Sequence, residues 1–258
     1  MSGEIHPTAV IDPKAEIGNG VIIGPYCVIH AGVVLGDDCW LQNHVTLAGP
    51  TIIGKRNKFF AYGSIGQQTQ DLKYKGEPTY CEIGDDNNFR EFVTVNRSTD
   101  ADDKTLIGNH NNFLTYSHIA HDVKVGDHVI FSNNGTVGGH CHIDDHVIMG
   151  GLSGIHQFCR MGKFSMSGGC TKIVQDVPPF MIADGSPAAV RVINKVGMER
   201  HGYSSKAIQA AKDAHRLLYR SKLNVDQALK EIESLPDTDG VFATIVEFVR
   251  GSERGIVR

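Results

Sequence analysis

The sequence predicts an all-β parallel β-helix followed by a C-terminal α-helical segment. An apolar residue recurs every six positions, the recurrence keeps its phase through two interruptions, and it stops after Val177-Pro178-Pro179, with a helical period from Ser204 onward. The anchors run from Ile5 through Ile11, Ile17, Ile23, Ile29, Leu35, Leu41, Leu47, Ile53 and Phe59 to Ile65. They resume at Ile83, Phe89 and Val95, run again from Ile107 to Met161, lapse at Ser167 and close at Ile173. Four places after each anchor the residue is mostly small or β-branched, as at Cys27, Val33, Cys141 and Ser153.

A period of six suits neither a helix nor a hairpin alternation. It suits a coil of three short strands, with successive coils hydrogen-bonded at the ordinary strand spacing of ~4.8 Å. The anchor fills the interior, and the small residue packs beside it. The glycine that often follows the anchor, as at Gly18, Gly36 and Gly84, is expected to relax the corner. Residues 1–190 make up this unit, with loops expected at 71–82 and 101–106. Residues 191–258 form the helical domain. One helix is capped by Ser204 and carries Ile208, Ala211, Leu217 and Leu218 on one face. A second covers Val225 to Leu235, and a third covers Val241 to Val249 after Asp239-Gly240. Such a cap is expected where a β-helix would otherwise end in bare strand edges.

Composition narrows the function. A net charge of −4 opposes nucleic-acid binding, which draws its affinity from Lys and Arg against phosphate. No apolar stretch approaches the ~20 residues of a membrane span, and no signal peptide precedes Ala9, so a cytoplasmic protein is expected. The six cysteines form no C-x-x-C pair and read as free, buried thiols.

Counting in threes places the hexads of Ile65, Val95, Ile119, Val137, Ile155 and Ile173 in one column, and both interruptions leave from its hexads. Loops that break a regular solenoid usually carry function. The same column collects His118, His121, His140 and His156, none at an anchor position. Imidazole is the natural general base near neutral pH. His121 is the candidate base, Asp122 the group that orients it, and the Gly139 N–H a donor to an oxyanion.

These hexads, with Gln70-Asp71-Leu72-Lys73-Tyr74-Lys75-Gly76-Glu77-Pro78-Thr79, His118-Ile119-Ala120-His121-Asp122, Gly139-His140, His156-Gln157-Phe158-Cys159 and Gln175-Asp176-Val177-Pro178-Pro179, resemble the acyl-[acyl-carrier-protein]–UDP-N-acetylglucosamine O-acyltransferases over essentially the whole chain. The resemblance to hexapeptide-repeat proteins implies a left-handed helix, although parallel crossovers are otherwise right-handed. It implies a homotrimer with sites between subunits. It also implies acyl carrier protein as donor of a 3-hydroxyacyl thioester, UDP-N-acetylglucosamine as acceptor in the first step of lipid A biosynthesis, and neither cofactor nor metal. Asp71, Lys73, His118, His140, His156, Gln157, Asn194 and Arg200 would contact substrate, and Gly169 would limit acyl-chain length. The donor is acidic, and Arg191, Lys195, Arg216, Arg220 and Lys222 are candidates to meet it. Asn96-Arg97-Ser98 stands where many relatives have His-Arg-Gly, Val196 replaces an acidic residue, and His201 replaces a second Arg. A zinc lyase using several histidines on the same fold is the rival chemistry. The Gln70–Thr79 loop and the helical tail oppose it.

Overall fold

Each hexad gives two to four residues of extended chain and then turns. The computed structural model, which describes residues 3–258, stacks these strands into three sheets, the faces of a left-handed triangular prism. The first face carries Ile23, Leu41, Phe59, Phe89, Phe113, Phe131 and Met149 in register. The second carries Ile29, Leu47, Ile65, Val95, Ile119, Val137, Ile155 and Ile173, the expected column. The third runs from Ile17 through Ile53, Ile83 and Val125 to Met161. The interior anchors are buried, whereas Ile5 at the open end is exposed. Aromatic anchors stack inside, with Phe59 and Phe89 at 5.0 Å and Phe89 and Phe113 at 5.1 Å. The lapse at Ser167 is also buried, and its hydroxyl oxygen accepts the Gly150 N–H at 3.0 Å.

The interior is not wholly apolar. Asn57, Asn87 and Asn111 occupy the small-residue position in successive coils and form a fully buried ladder. Asn87 Nδ2 donates to Asn57 Oδ1 at 3.0 Å and to the Gly108 carbonyl at 2.9 Å, while Asn87 Oδ1 accepts the Asn111 N–H at 2.9 Å. Each amide thus satisfies backbone groups that the turn leaves unpaired.

Four expectations need correction. The glycines after the anchors do not relax corners: none of Gly18, Gly36 or Gly84 has positive φ. They allow close approach, since a Cβ on Gly36 would lie 2.6 Å from the Gly54 carbonyl carbon. The bend is taken by the fourth residue of the hexad, in left-handed conformation, as at Tyr62, His110 and Asp122. The loops lie earlier than 71–82 and 101–106, between Gln67 and Tyr80 and between Asn96 and Lys104, because Tyr80–Ile83 and Lys104–Ile107 pair as strands of the third face. The domain boundary at 190 falls inside the strand Ala189–Ile193, which pairs antiparallel with Met181–Asp184 to finish the first face. Five cysteines are buried, but Cys170 is exposed because it occupies a bend position.

The tail contains α1 (Lys195–Arg200), α2 (Ser205–His215), α3 (Val225–Ser234) and α4 (Val241–Arg250), with Ser204 capping α2 as expected and α1 unforeseen. The chain then returns to the prism. The Asp176 N–H donates to the Gly255 carbonyl and the Val257 N–H to the Asp176 carbonyl, while the Asp176 carboxylate accepts the Ser252 hydroxyl at 2.7 Å. No helix among the described residues is long and apolar enough to cross a membrane.

Asn87→Ala orphans the part-buried Gly108 carbonyl and the buried Asn111 N–H. We expect a loss of about 2–4 kcal/mol in chemical unfolding. A change below about 0.5 kcal/mol would show that the ladder does not stabilise the coil stack.

Candidate active site

Two edges of the prism matter here. Where the second face turns into the third, Asp122, His140 and Phe158 take the left-handed bend in successive coils. Where the third turns into the first, His110, His128, His146 and Phe164 do so. The two loops span the first of these edges, from Gln67 to Tyr80 and from Asn96 to Lys104.

The bend at Asp122 lets two sequence neighbours meet. His121 Nδ1 lies 2.7 Å from Asp122 Oδ2. An ionised carboxylate only accepts, so Nδ1 carries the proton and Nε2 keeps its lone pair. Nε2 makes no hydrogen bond among the described residues. Gly139 lies directly above the ring: a Cβ there would fall 2.5 Å from His121 Cε1 and 2.7 Å from Nε2. Only glycine fits without displacing the imidazole. The Gly139 N–H has no partner among the described residues.

Asp122 is almost fully buried. Its carboxylate also accepts the Ser98 hydroxyl, and the Thr99 N–H at 3.2 Å to both oxygens. Its own N–H donates to Thr105 Oγ1 at 2.9 Å. Burial alone would push the carboxyl up; the donors from His121, Ser98 and Thr99 outweigh it and hold the group down at about 2. Ser98, Thr99 and Thr105 were not foreseen as part of the site: Ser98 stood out only within the Asn96-Arg97-Ser98 departure, Thr99 belongs to the hexad of Val95, and Thr105 falls in the second interruption.

The remaining expected residues divide between the edges. His118 projects from the second-face strand rather than from a corner, with Nδ1 2.8 Å from Thr94 Oγ1. Burial, and then His121, hold its imidazole below the usual range. His140 stacks on Phe158 at 4.6 Å and lies 3.6 Å from Asp122 Oδ2. His156 and Gln157 are exposed one coil further on. In the first loop Asp71 Oδ1 accepts the Lys73 N–H, leaving the Lys73 side chain free in solvent. Asn96 Nδ2 braces that loop through the Gln68 carbonyl at 2.8 Å. Gly169 is exposed, has no positive φ, and would give a Cβ only ordinary contact, with the Gly151 carbonyl at 3.5 Å.

Asn194 and Arg200 are not brought to His121 within this chain. Asn194 caps α1, accepting the Gly197 N–H and donating to the Phe164 carbonyl at 2.9 Å, so both ends of its amide are used internally. It therefore sits on the other edge, where His201 packs against His146 at 4.6 Å and Phe164 at 5.0 Å. Arg200 and Val196 are exposed on the same helix.

Ligand atoms of His121, Asp122 and His140 lie within 4.8 Å of one another, a spacing a metal also accepts. Asp122, however, already takes hydrogen bonds on both oxygens, and His118 and His156 stand outside the cluster. The donor set fits a hydrogen-bonded base better than a coordination sphere.

Because folding lowers the Asp122 pKa from its ordinary value to about 2, its stabilisation is complete above pH ~4 and vanishes as pH falls through about 2. Its size is on the order of 2 kcal/mol. Unfolding measured against pH should show the difference between wild type and Asp122→Asn narrowing across that window. A constant difference would mean that the Asp122 charge contributes nothing.

Residues 176–257 match a family model described as Udp N-acetylglucosamine O-acyltransferase, domain 2, and residues 3–37 match a bacterial transferase hexapeptide model. An acyl-[acyl-carrier-protein]–UDP-N-acetylglucosamine O-acyltransferase from Burkholderia lata is 45% identical over 98% of this chain and 99% of its own. LpxA from Acinetobacter baumannii superimposes with a TM-score of 0.95 at 47% identity, covering 98% of this chain and 99% of that one. LpxA from Bacteroides fragilis does so with a TM-score of 0.96 at 39% identity, covering 99% and 100%. With near-complete coverage on both sides, the chain belongs to the acyl-[acyl-carrier-protein]–UDP-N-acetylglucosamine O-acyltransferase family, the hexapeptide-repeat acyltransferases of the LpxA type.

Proposed function

We propose that this protein transfers a 3-hydroxyacyl group from acyl carrier protein to the 3-position of UDP-N-acetylglucosamine, the first step of lipid A biosynthesis, with His121 as general base. The observation that carries the reading is the His121–Asp122 pair at 2.7 Å, with Nε2 unengaged beside the Gly139 backbone. Nε2 takes the proton of the sugar 3-hydroxyl as its oxygen attacks the thioester carbonyl. The Gly139 N–H donates to the oxyanion. As the intermediate collapses, the C–S bond breaks and the imidazolium returns its proton to the departing thiolate. Asp122 keeps the ring in the productive tautomer and stabilises its charged form.

Asp71, Lys73, His118, His140, His156 and Gln157 surround this edge and contact the substrates in this reading. Asn194 and Arg200 lie on another edge, which supports a homotrimer in which one subunit's tail faces the next subunit's His121. Leu72, fully exposed in the first loop, supports the same packing, because a second chain would cover it. Arg is suited to a nucleotide phosphate, since its fork bonds two oxygens at once. Arg191, Lys195, Arg216, Arg220 and Lys222 are all exposed, as docking of an acidic carrier requires.

Wild type should acylate UDP-N-acetylglucosamine in a mass-spectrometric assay, and His121→Ala should lose about a thousand-fold in kcat. Full activity in that variant would remove His121 as base. His121→Ala and Arg200→Ala, each inactive alone, should regain partial activity when co-assembled, because some interfaces then carry neither change. Absence of complementation would place the whole site in one chain.

Neither conformation nor close packing demands glycine at 169. Gly169→Met should therefore fold normally and shift donor preference to acyl chains several carbons shorter. Unchanged preference would end the chain-length role.

A further inference from the structure

We propose that Ser98 is a positioning residue of this reaction, its hydroxyl holding the Asp122 carboxylate and thereby fixing the orientation and charge environment of His121. The inference rests on His121 serving as the base.

Ser98 is fully buried at the start of the second loop. Its Oγ donates to Asp122 Oδ1; the alternative acceptor, the Asp100 carbonyl, lies at 3.5 Å. A charged oxygen is much the stronger acceptor. The Thr99 N–H contacts both carboxylate oxygens, but at 3.2 Å and shared between them. Oδ2 belongs to His121. Without the Ser98 hydroxyl, Oδ1 would keep only that shared bond, so the carboxylate plane would be held less firmly while more of its charge falls on Oδ2, the oxygen at His121. The second loop thus has a task that the repeat cannot perform, delivering a hydroxyl and an N–H to one buried carboxylate.

The device extends to the substrate loop. Thr99 Oγ1 lies 2.6 Å from Thr69 Oγ1, and the Arg97 N–H donates to the Gln67 carbonyl at 2.7 Å. The segment carrying Ser98 therefore also anchors the segment carrying Asp71 and Lys73.

Removing a donor from Asp122 concentrates its charge on the His121 side, which favours the imidazolium over the imidazole. The other ionisable groups around Asp122 are His118, His140, Cys141, His142, Asp103 and Lys124, and none of them donates to Oδ1.

The test is steady-state kinetics against pH for wild type, Ser98→Ala, Ser98→Thr and His121→Ala. Ser98→Ala should lose about ten-fold in kcat with acceptor KM within about two-fold, and its acid limb in kcat/KM should move up by about half a pH unit. Ser98→Thr, which keeps the hydroxyl, should restore both. An acid limb identical in wild type and Ser98→Ala overturns the proposal while leaving His121 as the base. If instead His121→Ala were active, the base assignment would fall, and NMR titration of the His121 ring would still decide. A ring that titrates higher in Ser98→Ala supports the positioning role, and an unchanged titration ends it.

Discussion

The structure depends on one constraint: each hexad must turn an apolar residue inward while its backbone hydrogen-bonds to the coils on either side. Once Ile119 and Val137 are committed to the interior, every other position of their hexads has a fixed direction. Position three sits on the approach to the edge and position four takes the left-handed bend. This is why His121 and Asp122, adjacent in sequence, meet through their side chains. In a straight strand they would point to opposite sides. Glycine serves the same constraint from the other direction, since the coils approach too closely for a Cβ at Gly36 or Gly84.

Asp122 is the point where fold and chemistry join. A carboxylate buried this deeply is costly unless its oxygens are hydrogen-bonded. The donors come from both sides of a repeat interruption, with Ser98 and Thr99 from the loop and His121 from the column. The satisfaction of one buried charge therefore requires the inserted segment to be present and folded. The solenoid alone would leave the Asp122 carboxylate without the Ser98 and Thr99 donors. The strands entering the prism after both loops, Tyr80–Ile83 and Lys104–Ile107, pair along four residues, twice the usual length here, and clamp the bases of the insertions together.

Dividing the expected substrate contacts between two edges has a physical consequence. A prism face separates the edge of His121 from the edge where Asn194 supports α1. A rigid solenoid cannot fold across its own width, so a small substrate touching both edges needs two chains. In the proposed trimer the stiffness of the β-helix becomes useful, because it holds the column of one subunit at a fixed depth against the tail of its neighbour.

The sequence by itself determined the repeat and the column assignment, because a six-residue period in anchors such as Phe89, Phe113 and Phe131 has one packing solution. It also placed His121, Asp122 and Gly139 along one edge, since a column can be counted once the phase is known. The buried asparagine ladder was not legible: Asn57, Asn87 and Asn111 are polar residues that only neighbouring coils can satisfy. Nor were Ser98, Thr99 and Thr105 as partners of Asp122, because the path of an inserted loop follows no period. The helix α1 was missed for the same kind of reason, as its six residues are too short for a periodic signal and depend on the Asn194 cap and the Phe164 carbonyl beneath it. Periodicity specifies what faces inward; hydrogen bonds between segments distant in sequence are decided only when the coils stack.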